Sequence, residues 1–414
     1  MLSNRSSSSG AGGQARFRGL IAWFHRRVHT LPVGAICQDV RASGPAYENE
    51  NTRPPGALTG HGKAVRNRQG ASAPNVVRHH RFSNEIKGKL KALCHYDNYH
   101  GWLAVVESWG LMAAAAATAA RLPALTPLAV LLIGSRQRAL ATILHEASHR
   151  TLFDPCSRWG RAQNLIAGTL FSGYPIFQMY GPYVRSHVRE HHPHLGDESR
   201  DPDIQYYVQQ GLMTRAGRDR FLWRHFLPTL LGLKTPQYAW FLLKNRLLPR
   251  DFARRSPAEK GEYALFAAFW TVLLWAIGHF GLWYYFLVFW VLPYLYPFQV
   301  IGWIIEVCEH YPLTQDHDED LYMSRNRLGN RLENFFFGMH SENFHLLHHL
   351  NPAVPFWRMR QAHRILMEDP AYAEVTALSG GIFSRGEHGG SPILRALFRG
   401  RHPTYPSPPK GSST

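Results

Sequence analysis

Apolar residues are concentrated in four long runs, and polar residues dominate the rest of the chain. The first run, "WLAVVESWGLMAAAAATAA", covers residues 102–120 and contains one charged residue, Glu107. The second, "LPALTPLAVLLIG", covers 122–134 and continues through "ALATIL". The third and fourth cover 263–280 and 281–305. About 20 apolar residues in a helix span a bilayer, so the pattern predicts four transmembrane helices in two hairpins.

The two ends of the chain differ in composition from the middle. Residues 1–80 are rich in Ser, Gly and Arg and contain few acids. Such a segment buries too little apolar surface to offset its ordering entropy, so we predict an N-terminal extension that is disordered. Residues 378–414 end in "HPTYPSPPKGSST" and are predicted to be a flexible tail. The folded domain is therefore expected at 81–377.

The charge of the chain is strongly positive, with 46 Lys and Arg against 29 Asp and Glu. This favours an anionic partner, either nucleic acid or a membrane surface. No nucleic-acid motif is recognisable, and the apolar runs favour the membrane. The turns near 121 and 280 carry few basic residues, whereas the flanking segments carry many, which predicts that those segments lie on the cytoplasmic side. Buried core helices of a soluble protein are the alternative.

The stretch "LHEASHR" places His145 and His149 four residues apart, on one face of a helix. With 24 histidines in 414 residues, this spacing also arises by chance. The same stretch matches the HExxH signature of zinc proteases, in which Glu146 would be the general base. Both interpretations are open from this motif alone.

A second stretch, "SHVREHHPHLGDESRDPD", contains His187, His191 and His192. His187 and His191 share a helical face, but His192 lies about 100° further around the axis. All three bind metal only around two neighbouring centres, or if Pro193 distorts the end of the helix. His194 is interpreted as a solvated bystander.

A third stretch, "NFHLLHHLNP", presents His345, His348 and His349 on one helical face. All three stretches lie on the side assigned to the cytoplasm. A zinc protease leaves most of these histidines unexplained, whereas two metal ions with several imidazole ligands each would use them. Imidazole binds Fe, Zn, Cu and Ni, so ligand type alone does not select the metal. A lone histidine at a membrane interface, such as His310, is more often structural.

The combination of HExxH, HxxxHH and HxxHH around two predicted hairpins resembles the membrane fatty-acid desaturase and hydroxylase superfamily. The stretches "HEASHRTLF", "NLIAGTLFSGYP", "HVREHHPHLGDESRDPD", "EVCEHYP" and "ENFHLLHHLNPAVPFW" carry the resemblance, which covers roughly residues 95–375. It implies an all-α integral membrane protein with a cytoplasmic His-rich helical cap.

The resemblance also implies a non-haem di-iron centre, with two Fe ions that activate O₂ to attack an unactivated C–H bond. The "EHYP" element resembles that of alkane hydroxylases and carotenoid ketolases, in which a ninth histidine is a ligand. The implied ligands are His145, His149, His187, His191, His192, His310, His345, His348 and His349. Their other ring nitrogens need acceptors. The candidates are Glu146, Glu190, Asp201, Asp203, Glu309, Glu342 and Asn343, for which salt bridges to nearby arginines are the alternative role.

The expected reaction is desaturation of a fatty acyl or related lipid chain. Hydroxylation or ketolation of an alkyl, carotenoid or other lipid substrate is the alternative. A membrane HExxH zinc protease and a non-catalytic metal-binding membrane protein remain as other classes. The chain has neither an HPGG haem-binding stretch nor a GxGxxG fingerprint, so a separate ferredoxin- or rubredoxin-like donor with its reductase is implied. A basic face suits an acidic donor or anionic lipid, and its expected members are Arg215, Arg218, Arg220, Lys244 and Arg246.

Overall fold

The computed structural model describes residues 77–248 and 252–400, which form helices joined by loops. No β-strand occurs within these two ranges, where isolated bridges join Arg78 to Glu319 and Ser379 to Ser391. The predicted all-α class is therefore confirmed for the part of the chain described. The extension predicted to be disordered falls almost entirely on residues 1–76, which lie outside it.

The α-helices of the first range are α1 Asn84–Lys91, α2 His100–Arg121, α3 Thr126–His149, α4 Arg158–Gly168, α5 Tyr180–Tyr183, α6 Pro202–Gln209, α7 Arg215–Asp219, α8 Leu227–Leu230 and α9 Thr235–Arg246. Those of the second range are α10 Pro257–His279, α11 Trp283–Phe286, α12 Leu292–Leu295, α13 Pro297–His310, α14 Leu313–Asp316, α15 Asp320–Met323, α16 Arg331–Phe337, α17 His345–Leu350, α18 Met359–Leu366, α19 Pro370–Leu378 and α20 Ile393–Phe398. Turns of 3₁₀ or π-helix lie at Pro123–Leu125, Thr169–Gly173, Tyr174–Ile176, Val184–His191, His192–His194, Leu222–Phe226, Phe252–Arg254, Leu287–Val291, Met339–Ser341 and Phe356–Arg358.

Four helical segments are long and apolar enough to cross a membrane, and they coincide with the four apolar runs. They are His100–Arg121, Pro123–His149, Pro257–His279 and Trp283–Asp316. The first and third present apolar side chains outward; Val106 is 66% exposed and Val272 is 65% exposed. A bilayer accommodates such a surface, whereas water does not.

The second and fourth spans form the centre of the molecule. Leu140 and Ile143 of α3 and Ile304 and Ile305 of α13 are almost completely buried. Gly134 allows α3 to approach the start of α13, because a Cβ at that position would lie 2.5 Å from Pro297 Cγ. This contact holds the two helices that carry His145, His149 and His310 side by side.

A second apolar cluster supports the third histidine stretch. Leu346 and Leu347 of α17 are buried against Leu366 of α18 and Tyr372 of α19. Helix α1 also packs here and buries Leu90. The histidines of α17 therefore project from a helix whose apolar face is fixed.

The segment after residue 378 differs from the predicted flexible tail as far as residue 400. The Glu333 carboxylate accepts hydrogen bonds from the backbone N–H groups of Ile382, Phe383 (3.1 Å) and Ser384 (2.9 Å). Ile393 of α20 is buried in the main core. The Gly-, Ser- and Pro-rich composition resembles a linker, but one carboxylate satisfies its backbone donors and a short apolar helix covers the core. Residues 401–414 lie outside the described ranges.

Candidate metal centre

The first histidine pair lies on the last turns of α3. His145 and His149 share one face, as their spacing predicts, with ring centroids 4.8 Å apart. Arg150 ends the helix with a φ of +63°, and the Thr151 amide then donates to the Glu146 carbonyl. The pair therefore sits where the apolar span ends.

The second stretch is wound as a π-helix over Val184–His191 rather than as an α-helix. The His192 amide donates to the His187 carbonyl, an i to i+5 bond, so these two residues are brought to one face. Their Nε2 atoms are 3.1 Å apart. In a regular helix, His192 would lie about 100° away from the face shared by His187 and His191. The wider turn brings His192 to the face of His187 and directs His191 away from it.

The third stretch begins after a sharp turn at His340 (φ +50°) and Ser341 (φ +63°). Two successive non-glycine residues in this region are strained, and such strain is concentrated at functional sites. The turn places α17 so that His348 Nε2 is 3.2 Å from His192 Nε2. Its neighbour His345 points instead to His310.

All nine predicted ligands are brought together, in two clusters. The first cluster has donor atoms within 4.8 Å of one another and consists of His145, His149, His187, His192 and His348. The second contains His191, His310 and His349 at the same limit, and His345 joins it through Nε2 contacts of 2.8 Å to His310 and 3.1 Å to His349. His194, interpreted as a bystander, belongs to neither cluster.

Burial lowers the pKa well below the ordinary value for five of the clustered imidazoles and so keeps them neutral: His187, His192, His345, His348 and His349. His191 differs, because burial lowers its pKa but the Asp201 and Asp203 carboxylates outweigh that effect and raise it to about 9. A neutral imidazole has one nitrogen with a free lone pair, which is the form that binds a metal ion.

The hydrogen-bond pattern tests whether a cation fits. His310 Nδ1 is 3.2 Å from the Met323 carbonyl, which only accepts, so Nδ1 carries the proton and Nε2 has the lone pair. His345 Nδ1 is likewise 3.4 Å from a Glu309 carboxylate oxygen. The two bare Nε2 atoms face each other at 2.8 Å, an arrangement that a shared cation stabilises. In the first cluster, His149 Nε2 is buried without a hydrogen-bond partner. The unprotonated nitrogens of the two histidine clusters are therefore arranged as ligands for metal ions.

Four of the predicted acceptors contact histidine Nδ1 atoms. Asp201 and Asp203 oxygens lie 3.0 Å and 3.3 Å from His191 Nδ1. Glu146 lies 3.1 Å from His145, and Glu309 contacts His345 as described. Such partners orient a ligand and increase its basicity.

Asn343 makes no hydrogen bond to a clustered histidine within the described part of the chain. Its carbonyl accepts from the Arg327 amide, and the residue lines a separate cavity beside Arg360 and His363. Glu342, also considered as an acceptor, pairs with Arg138 at 2.5 Å.

A small cavity of about 50 Å³ adjoins the histidines and is bordered by charged residues that sequence analysis did not select. Arg138 and Glu306 come from the membrane spans α3 and α13. Ionisable residues within apolar spans are a functional signal that could have identified both. Arg246 also borders it and is only 5% exposed, so its assignment to a basic surface is wrong. The Arg215 side chain is not among those described.

Comparison with known proteins agrees with this geometry. Residues 121–379 match the family described as fatty acid desaturase. The chain is also similar to a dihydrorhizobitoxine desaturase of Bradyrhizobium elkanii, with 38% identity over 319 residues that cover 76% of this chain and 89% of that protein. With its histidine clusters at the ends of apolar helices, the chain is an oxidoreductase and belongs to the fatty acid desaturase family.

Proposed function

We propose that the nine histidines hold two iron ions and that the enzyme uses O₂ to introduce a double bond into an aliphatic chain. The observation that carries this proposal is the division of the histidines into two adjacent clusters. One cluster has five imidazoles and the other has four, counting His345. Each offers enough imidazole nitrogen donors for one transition-metal ion.

Bound iron would supply the redox chemistry that reduces O₂ with two external electrons. Converting –CH₂–CH₂– to –CH=CH– with one O₂, two electrons and two protons yields two waters. The protein's own part is to orient the imidazoles through Asp201, Glu146 and Glu309 and to limit water in the cavity. At about 50 Å³ the cavity admits only a few waters.

The expected substrate is an acyl or related lipid chain, reached from the membrane that surrounds the apolar helices. Hydroxylation shares the first hydrogen abstraction and differs in receiving oxygen where desaturation loses a second hydrogen. Product analysis separates the two.

We also propose that a separate ferredoxin- or rubredoxin-like donor with its reductase supplies the electrons.

The proposal further includes two hairpins with the histidines at their cytoplasmic end. This orientation is supported by the distribution of Lys and Arg along the chain, which leaves the turns near 121 and 280 nearly free of positive charge. Cysteine-accessibility labelling in intact cells tests the orientation.

The zinc-protease alternative is disfavoured by the environment of Glu146. One carboxylate oxygen lies 3.1 Å from His145 Nδ1, and the other accepts from the Thr151 hydroxyl at 2.9 Å. The residue is 4% exposed. Its carboxylate is therefore buried and in contact with other side chains, whereas a protease needs a general base that faces water.

The decisive experiment is metal analysis with Mössbauer spectroscopy on detergent-purified, iron-replete protein. We expect about two coupled irons per chain, and loss of iron and O₂-dependent product in His348→Ala. His194→Ala is the matched control, because His194 belongs to neither cluster. One zinc and no iron per chain would overturn the proposal.

A further inference from the structure

Large apolar side chains are exposed in the connection between the second and third spans, outside the four spans themselves. Trp223 is 73% exposed, Leu231 is 69% exposed and Leu233 is 70% exposed. Leu230 and Trp240 of the same segment are also exposed. Single apolar residues are ordinary on a protein surface, whereas a group of this kind marks contact with another protein or with a membrane. The surroundings of these side chains distinguish the two.

These side chains belong to one helical corner, which we define as residues 222–240. A π-helical turn leads into α8, the chain turns at Gly232 with a φ of +76°, and α9 follows. The Leu233 amide donates to the Pro228 carbonyl at 2.8 Å, so a hydrogen bond within the corner closes the end of α8. The exposed leucines therefore lie on a turn whose backbone is held by its own hydrogen bonds.

The turn of the corner lies against the fourth membrane span. The Tyr296 hydroxyl of that span donates to the Leu230 carbonyl at 2.6 Å. The backbone at Gly232 also touches the ring, because a Cβ there would lie 3.2 Å from Tyr296 Cε2. Tyr296 itself is exposed on its other side, as are Leu292 and Leu295 just before it. The leucines of the corner therefore continue the apolar surface of a segment that crosses the membrane.

Basic side chains accompany the apolar ones. Arg220 and Arg224 precede the turn, Lys244 follows it, and all three are exposed. Lys234, next to the leucines, directs its ammonium group to the Gln210 amide oxygen at 3.5 Å. At the edge of a bilayer, Lys and Arg keep their charge among the headgroups while neighbouring apolar side chains enter the acyl region, and Trp favours the same boundary. This combination of side chains fits a lipid surface.

We propose that the corner is a membrane-binding element, in which Leu230, Leu231 and Leu233 enter the acyl region of one leaflet and the basic residues beside them contact anionic lipid headgroups. Helix α9 leads from this turn to Arg246, which borders the cavity beside the histidines. One helix thus meets lipid near its start and the histidine cavity at its end. The inference rests on the membrane spans and not on the reaction at the histidines.

The test is photo-cross-linking of the full-length protein in vesicles of equal parts phosphatidylcholine and phosphatidylglycerol. The photoreactive amino acid p-benzoylphenylalanine, which captures nearby C–H bonds, replaces Leu231 or Leu233, and mass spectrometry identifies what is attached. Val272, which faces outward on the third span, is the lipid-facing control, and the exposed Glu374 of α19 is the control outside the spans. We expect lipid adducts at 231 and 233 with a yield comparable to that at 272 and several-fold above that at 374.

The same adducts test the contact with anionic headgroups. Phosphatidylglycerol should exceed phosphatidylcholine among the lipids captured at 231, because the neighbouring basic residues attract the anionic lipid. Arg224→Gln should lower that excess, whereas Arg364→Gln, at an exposed residue of α18, should leave it unchanged. Equal capture of the two lipids by the wild-type background would overturn the headgroup contact.

Two results would overturn the membrane-binding role as a whole. Lipid adducts at 231 and 233 that are no more abundant than at 374 would show that water covers the corner. Cross-links to a second copy of the chain, seen at twice the protein mass, would show that the leucines form a subunit interface instead. The two leucines are replaced in separate variants and both are exposed, so misfolding of one variant leaves the other to decide.

Discussion

Asp201→Asn isolates the influence of one buried carboxylate on one histidine cluster. Asp201 is completely buried and accepts from His191 Nδ1 at 3.0 Å, from the Gly196 amide at 3.1 Å and from the Asp203 amide at 3.0 Å. Asparagine preserves the size of the side chain and one acceptor oxygen. It removes the negative charge and turns a donor toward the Gly196 amide.

The size of the expected loss of iron affinity follows from these contacts. Mutation of a carboxylate that orients a ligating histidine lowers metal affinity about 10- to 100-fold, and here the change is the loss of its negative charge. Asp203 remains 3.3 Å from His191 Nδ1, so we expect the lower limit, about tenfold or 1.4 kcal/mol. The double variant Asp201→Asn/Asp203→Asn should approach the upper limit, about 2.7 kcal/mol, by the same conversion.

The assay is competition for iron by a chelator of known affinity. The iron of the cluster that contains His191 should be lost at about tenfold lower chelator concentration, while the other iron is retained as in the wild type. Asp197→Asn is the matched control, because this buried carboxylate binds Ser199 rather than a histidine. If Asp201→Asn holds both irons as tightly as Asp197→Asn does, the reasoning that Asp201 acts through His191 is refuted.

Three further outcomes are expected. Glu146→Gln should lower the iron affinity of the first cluster severalfold in the same chelator assay; unchanged affinity with abolished turnover would indicate a direct role in proton transfer. Arg327→Leu leaves Glu309 buried without its cation and should cost about 3–5 kcal/mol in the free energy of unfolding in detergent, whereas a loss under about 1 kcal/mol would contradict the buried pair. Glu333→Ala should cost about 1–3 kcal/mol for each backbone donor left unsatisfied and make residues 380–400 sensitive to protease, while the exposed Glu374→Ala should change neither; resistance to cleavage would show that the carboxylate does not hold the segment.

The sequence by itself determined the elements whose signals are local. Four runs of apolar residues fix four long helices, because a helix satisfies its own backbone hydrogen bonds and the side chains alone decide whether it suits lipid. The spacing of His145 and His149, and that of the third stretch, places imidazoles on one helical face whatever surrounds them. The geometry accordingly gathers every histidine that sequence reasoning selected, including His310, which depended on the family resemblance.

Only the tertiary structure decided which histidines share a cluster. His191 and His192 are adjacent in sequence but belong to different clusters, because a π-helical turn aligns His192 with His187. Pro193 allows a distortion at this point, as the sequence indicated, but the local pattern does not specify a π-helical turn over Val184–His191.

The charged cavity and the folded C-terminal segment were likewise decided by contacts between distant parts of the chain. The sequence does not distinguish Arg246 from the other basic residues near it, but in the structure Arg246 is buried and borders the same cavity as Glu306 of another helix. Glu333 organises a loop 50 residues away in the chain, at Phe383. Burial and pairing are properties of the assembled fold, so composition suggested a surface charge in the first case and a linker in the second.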